Sequence, residues 1–241
     1  KRLIGMLCRL EDAIFIFYNL VTIPRIRQVD IKTLTRRNIM LTGKKIVLGV
    51  SGGIAAYKMA NVASMLSKLH ADIHVVMTEN ATHFITPETF EVLTGNHCYT
   101  DTFDRCMELH VPHIALGTQA DAILIAPASA DVVGKIANGI ADDMLTTCVL
   151  PATCPVMLAP SMNVHMYENP IVQDNMKKLA SYGYEIIEAD EGYLACRDIG
   201  KGKLPPEHVL VDYIIRACAM DKDLAGKKVL VTAGATQESI D

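Results

Sequence analysis

The sequence predicts an α/β fold: a parallel sheet covered on both faces by helices. Three observations carry that prediction. Short apolar runs recur at Lys45–Val50, Ile73–Thr78, Ala122–Pro127 and Pro155–Ala159, and a strand apolar on both sides is one buried on both faces. Segments with helical spacing separate the runs, which is the alternation of a parallel sheet. Each run also ends in small or polar residues (Ser51, Thr78, Ala128-Ser129, Ser161-Met162-Asn163). In such sheets, ligands bind beyond the carboxyl ends of the strands.

In chain order, residues 1–39 show no clear helical or strand period, and Met40-Leu41-Thr42-Gly43-Lys44-Lys45 reads as a natural start. Residues 1–39 are therefore expected to be a dispensable extension, with a helix packed on the domain as the alternative. The main domain is expected over 40–220. Its first strand runs into Ser51-Gly52-Gly53, and the spacing of Ala55, Met59, Val62, Leu66 and Leu69 predicts a helix over Ile54–His70. Thr86 before Pro87 has the form of an N-cap with proline at the first helical position, opening a helix to about Leu93. After the fully buried strand Ala122–Pro127, short helices are expected over Asp131–Asn138 and Asp142–Val149. A strand at Pro155–Ala159 precedes a helix over Pro170–Tyr182 that Gly183 stops, and Tyr184–Glu188 is a further strand. Residues 190–205 read as a glycine-rich loop and 206–220 as a helix. A new strand, Val229–Thr232, opens a separate segment over 221–241.

Composition narrows the function. Hydrophobic residues make up 50% of the 241, and the mean hydropathy is +0.23, which favours a dense core over disorder. Aromatic residues are only 5%, with no Trp, and that argues against base-stacking surfaces. The net charge of −4 conceals an uneven distribution. Residues 1–39 hold eight Lys/Arg against three Asp/Glu, a balance of +5 that leaves −9 on the remainder. Such a domain is a poor nucleic-acid binder. No stretch approaches the roughly twenty apolar residues of a membrane helix, and no small-residue cleavage site follows Ala13–Ile23. Seven cysteines without a Cys-x-x-Cys fit a reduced, cytoplasmic setting.

The chemistry-bearing residues sit at the strand ends. Gly49 to Ala56 form a strand–turn–helix in which Gly52 and Gly53 let backbone approach a ligand, while the helix start offers N–H groups to a phosphate. The segment is neither a Gly-x-Gly-x-x-Gly fingerprint nor a Walker motif, and a plain βα turn would look the same. Ser129, Ala130 and Asp131 follow another strand, and Asp131 reads equally as a helix N-cap. His110 and His113 form a His-x-x-His without a third ligand, so no metal site is expected. His113 alone reads as a capping or core histidine near a helix start. Asn163 offers a carboxamide at a strand end, or a simple cap for the next helix. Cys196 is one thiol in the run Ala195–Leu204, with an inert buried thiol as the alternative. An amide able to bind a carboxylate, together with a thiol able to deliver a proton, points to chemistry on a small acid.

Together these segments resemble the flavin-dependent cysteine decarboxylases over about residues 44–218. Pro160-Ser161-Met162-Asn163-x-x-Met166-Tyr167 is similar to that family's Pro-Ala-Met-Asn-x-x-Met signature, with Ser161 for Ala. Ala195–Leu204 is similar to its Ala-Cys-Gly-Asp-x-Gly-x-Gly-Arg-Met clamp, with Arg197 for Gly and Lys203 for Arg. Arg197 carries a penalty if its φ is positive, and Lys203 keeps the charge but loses bidentate anion recognition. His113 followed by Ile114-Ala115-Leu116 and Ala120-Asp121 matches the region of the family's catalytic histidine. Within the family, the chain resembles the decarboxylase half of the bacterial bifunctional phosphopantothenoylcysteine decarboxylase / phosphopantothenate–cysteine ligases. Its tail from Leu224 resembles the start of the ligase half.

The resemblance implies a flavodoxin/Rossmann-like three-layer fold and an FMN cofactor touching Ser51, Gly52, Gly53, Thr78, Ser129, Ala130 and Asp131. It implies catalytic roles for His113, Asn163 and Cys196, with Asn163, Met166, Gly200 and Lys203 binding substrate. Mg2+ and a nucleoside triphosphate would serve only the ligase domain. The implied reaction is oxidation of the thiol-bearing carbon, loss of CO2 from the resulting thioaldehyde, and reduction of the enethiolate with Cys196 as proton donor. A homo-oligomer built from trimers is the implied assembly, with a small molecule as the only other partner. Alternatives are a peptidyl-cysteine decarboxylase, which the tail disfavours, and an FMN-binding regulatory subunit, which retention of all three catalytic residues disfavours. A flavin prenyltransferase would lack the Asn signature and the Cys segment, and a nicotinamide-binding protein would carry the missing fingerprint.

Overall fold

The computed structural model describes residues 41–103, 111–193, 195 and 197–218, together with the backbone of two strands, β1 (Ile4–Leu7) and β2 (Phe15–Asn19). The chain divides into two units, residues 39–219 and a smaller one of 1–38 with 220–241. In the smaller unit β1 and β2 pair antiparallel, with Ile4 opposite Asn19. The sequence reading found no strand period there; strands of four and five residues are too short to show one. The strand expected at Val229–Thr232 lies outside the described residues.

The larger unit is built on β3 (Lys45–Val50), β4 (Asp72–Met77), β5 (Cys98–Tyr99), β6 (Ala122–Ala128), β7 (Val156–Pro160) and β8 (Glu185–Ile186). All pair in parallel in the order β5-β4-β3-β6-β7-β8. The chain winds outward from β3 in one direction, returns, and winds outward in the other. The strand order therefore reverses between β3 and β6, and a crevice opens at their carboxyl ends.

Helices follow the strands as α1 (Lys58–Lys68, after a 3-10 turn Ile54–Tyr57), α2 (Glu79–Thr82), α3 (Pro87–Thr94), α4 (Pro112–Gln119), α5 (Ala130–Ala137), α6 (Met144–Val149), α7 (Val164–Tyr167), α8 (Pro170–Ser181) and α9 (Glu207–Cys218). Alternation along β3 assigns them to two layers. Ile46, Leu48 and Val50 join one core with Met59, Leu66, Phe90 and Leu210, from α1, α3 and α9. Val47 points the other way, into a core with Leu116, Val132, Leu145 and Leu179, from α4, α5, α6 and α8. The second contact is close: a Cβ added at Gly49 would stand 2.5 Å from Leu145 Cδ1.

At the opposite edge of the sheet, Asp121 joins the starts of β3 and β6. Lys44 Nζ donates to Asp121 Oδ1 at 2.9 Å, and the Lys45 backbone N–H donates to Oδ2 at 2.9 Å. Burial works against ionisation of this carboxyl, but those two hydrogen bonds and the lysine charges hold it below its ordinary range.

Several boundaries differ from the sequence reading. The helix expected over Ile54–His70 opens as a 3-10 turn and ends at Lys68, with His70 at φ 65. Helix α5 begins at Ala130 under a Ser129 N-cap, whose Oγ accepts from Val132 N at 3.3 Å, so Asp131 is not the cap. The glycine-rich stretch 190–205 is a β-hairpin, not a loop. Its strands β9 (Asp190–Tyr193) and β10 (Ile199–Lys203) pair antiparallel, with Gly200 opposite Gly192. Glycine and lysine have low strand propensity, and cross-strand pairing overrides it. Among the described residues, no helix is long and apolar enough to cross a membrane.

Candidate cofactor and substrate site

A cavity of about 500 Å³ opens where the strand order reverses, a size typical of small-molecule sites. Its floor is the turn after β3 (Gly52, Gly53, Ile54) and the turn after β6 (Pro127, Ser129, Ala130). One wall is Ser161, Met162, Asn163 and Met166 after β7, and the β9–β10 hairpin adds Tyr193, Gly202 and Lys203.

Ser51 lies beneath this floor, fully buried. Its Oγ donates to Pro127 O at 2.7 Å and accepts from Ser129 N at 2.9 Å. One hydroxyl thus stitches the two cavity-lining turns across the point where the strand order reverses. Gly52 is required by close packing, since an added Cβ would lie 2.5 Å from Asn80 Cβ. Gly53 meets only Pro127 Cγ, at 4.0 Å, so its surroundings stay open. Thr78, at the end of β4, is buried, and its Oγ1 has no hydrogen-bond partner among the described residues. A buried hydroxyl of this kind is costly unless something accepts or donates to it. Asp131 does not line the cavity: its Oδ2 stands 3.3 Å from Lys135 Nζ, which also meets Asp142 at 3.0 Å and Asp143 at 3.4 Å.

Asn163 is the helix cap that the sequence offered, and it also lines the cavity. Its Oδ1 accepts from His165 N at 2.8 Å, closing the start of α7. Its Nδ2 donates to Asp198 Oδ2 at 2.9 Å, across to the hairpin. The hairpin is seated on the same segment, with Met162 N donating to Gly202 O at 3.0 Å. Two glycines permit the approach. A Cβ at Gly200 would stand 2.6 Å from Val164 Cγ2, and one at Gly202, whose φ is 132, would stand 2.3 Å from Met162 O. Gly200 therefore acts through packing. Arg197 occupies the left-handed region at φ 71, the strained case foreseen for this departure from glycine. Cys196 lies outside the described residues.

His113 sits in the first turn of α4 and is not among the cavity-lining residues. Its Nδ1 is buried and without a partner among the described residues. The helix is pressed against α6 at Gly117, where an added Cβ would stand 2.4 Å from Cys148 O. Val111 and Ile114, beside His113 in sequence, are large apolar residues exposed to solvent. Burial pushes the Cys98 and Cys148 thiols each up to about 12.

Lys58, Tyr57 and Tyr193 escaped the sequence reading, and Asp198 entered it only as the matching Asp of the clamp motif, with no role assigned. Lys58 left a signal, because a cation in the opening turns of a helix opposes the dipole. Together with Lys203 it gives the cavity two cations, neither in an ion pair with a described residue.

Known proteins agree with this geometry. The family model described as "Flavoprotein" matches residues 34–219. The "Coenzyme A biosynthesis bifunctional protein CoaBC" of Bacillus subtilis (strain 168) is 47% identical over 204 residues, covering 84% of this chain and 50% of that protein. The chain thus spans about half the length of the curated relatives it matches. Among solved structures, the FMN-dependent cysteine decarboxylase SpaF is 35% identical with a TM-score of 0.64, covering 73% of this chain and 98% of that one. A cysteine-to-serine mutant of a PPC decarboxylase, complexed with pantothenoylaminoethenethiol, is 29% identical with a TM-score of 0.64, covering 71% and 96%. With the sheet order, the cavity where that order reverses and a family match over most of its length, this chain belongs to the flavoprotein family.

Proposed function

We propose that this chain carries the FMN-dependent decarboxylation of 4′-phosphopantothenoylcysteine to 4′-phosphopantetheine, a step of coenzyme A biosynthesis in the cytoplasm. The observation that carries the reading is Asn163: a carboxamide in the cavity wall, held at the end of β7 and bridged to the hairpin that folds against it. The names of the relatives and structural neighbours support the same chemistry. The tail from Leu224 is read as the opening of a ligase domain, the only part that would need Mg2+ and a nucleoside triphosphate.

The residues present fit the flavin. Gly53 leaves open space, and Ser129 and Ala130 present the start of α5 to the cavity, while Thr78, which does not line it, keeps a buried hydroxyl without a partner among the described residues. Ser51 would act indirectly, by fixing both turns of the cavity floor. When bound, FMN supplies reversible two-electron oxidation of the substrate carbon that bears the thiol.

This chain's own groups do the rest. Asn163 receives the carboxylate that leaves as CO2, and Met166 packs beside the substrate. Lys203 presents a cation to its phosphate, and the docked hairpin excludes water. Cys196 delivers the proton that completes the product. His113 assists proton transfer near the flavin. Because it does not line the cavity of its own chain, we place it in the site of a neighbouring copy. The exposed Val111 and Ile114 beside it support contact with another copy, and assembly from trimers is what the family resemblance implies.

Mass spectrometry of the FMN-loaded protein incubated with 4′-phosphopantothenoylcysteine tests the reading. The expected result is 4′-phosphopantetheine with release of CO2, and a Cys196→Ser control that stops at an oxidised, decarboxylated intermediate. Turnover only of a peptide with a C-terminal cysteine would reassign the substrate. No turnover of either by flavin-loaded protein would favour a regulatory subunit.

A further inference from the structure

Asn163 has an amide whose orientation is determined by its partners. The His165 backbone N–H can only donate, so the atom 2.8 Å from it must be Oδ1. The Asp198 carboxylate can only accept, so the atom 2.9 Å from it must be Nδ2. A carboxamide flips easily when its partners are ambiguous; here His165 N–H and the Asp198 carboxylate each have a single polarity. The backbone bond belongs to α7 and persists however the hairpin sits. The Asp198 bond exists only when the hairpin is seated, as Met162 N to Gly202 O and the glycine contacts at Val164 and Met162 seat it.

Resting on the proposed reaction, we infer that Asp198 is a positioning residue for carboxylate recognition. It holds the Asn163 amide nitrogen toward the hairpin side of the cavity, where the carboxylate of the substrate is received. Recognition of that carboxylate is thereby coupled to hairpin closure. Asp198 does not line the cavity, so its removal should penalise mainly the ligand that carries a carboxylate. The product retains the rest of the molecule but lacks that group, which makes it the matching control.

The test uses the FMN-loaded full chain, with 4′-phosphopantothenoylcysteine as substrate and 4′-phosphopantetheine as a directly titrated ligand. A hydrogen bond to a charged group is at stake, so Asp198→Ala is expected to lower kcat/KM by about 10-fold or more. Product affinity, read by calorimetry, stays within about twofold and also verifies that the variant is folded. Asp198→Asn keeps a carbonyl acceptor at the same reach and is expected to recover most of the lost kcat/KM. Equal weakening of turnover and product binding by Asp198→Ala would mean that Asp198 only docks the hairpin, and would overturn the inference. An unchanged kcat/KM would overturn it as well. Failure of the wild-type chain to turn over would instead sink the proposed reaction and this assignment together.

Discussion

Ser51 shows how one side chain prepares a site that it does not enter. Its hydroxyl satisfies the Pro127 carbonyl and the Ser129 N–H at once, so the turns after β3 and β6 hold one spacing. In Ser51→Ala a half-buried N–H and a buried carbonyl lose that partner, although the Ser51 N–H still reaches Pro127 O at 3.3 Å. The expected cost is about 1–3 kcal/mol, read as a lower urea midpoint at unchanged slope. FMN affinity should fall with it, because Ser129 is displaced. A variant as stable as the parent would show that the backbone bond alone carries the seam.

Arg197 matters through the element it belongs to. The β9–β10 hairpin closes over the cavity by strand pairing and two glycine contacts, and Arg197, at φ 71, resists that conformation. A left-handed residue with a side chain costs about 1 kcal/mol or slightly more, a roughly fivefold bias against the seated hairpin. Arg197→Gly is therefore expected to raise hydrogen-exchange protection of the hairpin amides about fivefold. Unchanged or reduced protection would show that the added freedom of the open state outweighs the strain relieved.

For the whole molecule, acid and assembly are the informative variables. Asp72 and Asp121 stand at the amino-terminal edge of the sheet. Burial opposes ionisation of each, yet hydrogen bonds and nearby positive charge lower both from the ordinary carboxylate value. A depressed carboxyl stabilises the fold above the unfolded pKa, about 4. That contribution is lost as pH falls through the lower folded value. The urea midpoint should therefore drop below about pH 4, and Asp121→Asn should make that drop shallower. An equally steep drop in the variant would assign acid sensitivity elsewhere. Assembly is tested by mixing. His113→Ala and Asn163→Ala should each be nearly inactive alone. If one site draws on two copies, mixed oligomers should regain about a quarter of wild-type activity by random assortment. No recovery in verified mixed oligomers would place both residues in one chain's site.

Period and motif were enough to read the alternation of strands and helices, and they named Gly52, Gly53, Ser129, Asn163, Met166 and Lys203, which line one cavity at the strand ends. These are local properties, because a buried strand needs an apolar run and a ligand turn needs small residues beside it. Short-range pattern could not reveal that 190–205 is a paired hairpin, since its stability comes from cross-strand bonds and from Gly200 meeting Val164 of α7 and Gly202 meeting Met162 before it. Nor could it separate Ser51 and Asp131, which face inward or toward Lys135, from their cavity-lining neighbours. The meeting of Asn163 with Asp198, 35 positions apart, is likewise a tertiary result. The sequence by itself determined the elements and the chemical inventory; which members of that inventory touch was decided by packing, because contact depends on distances that no local period encodes.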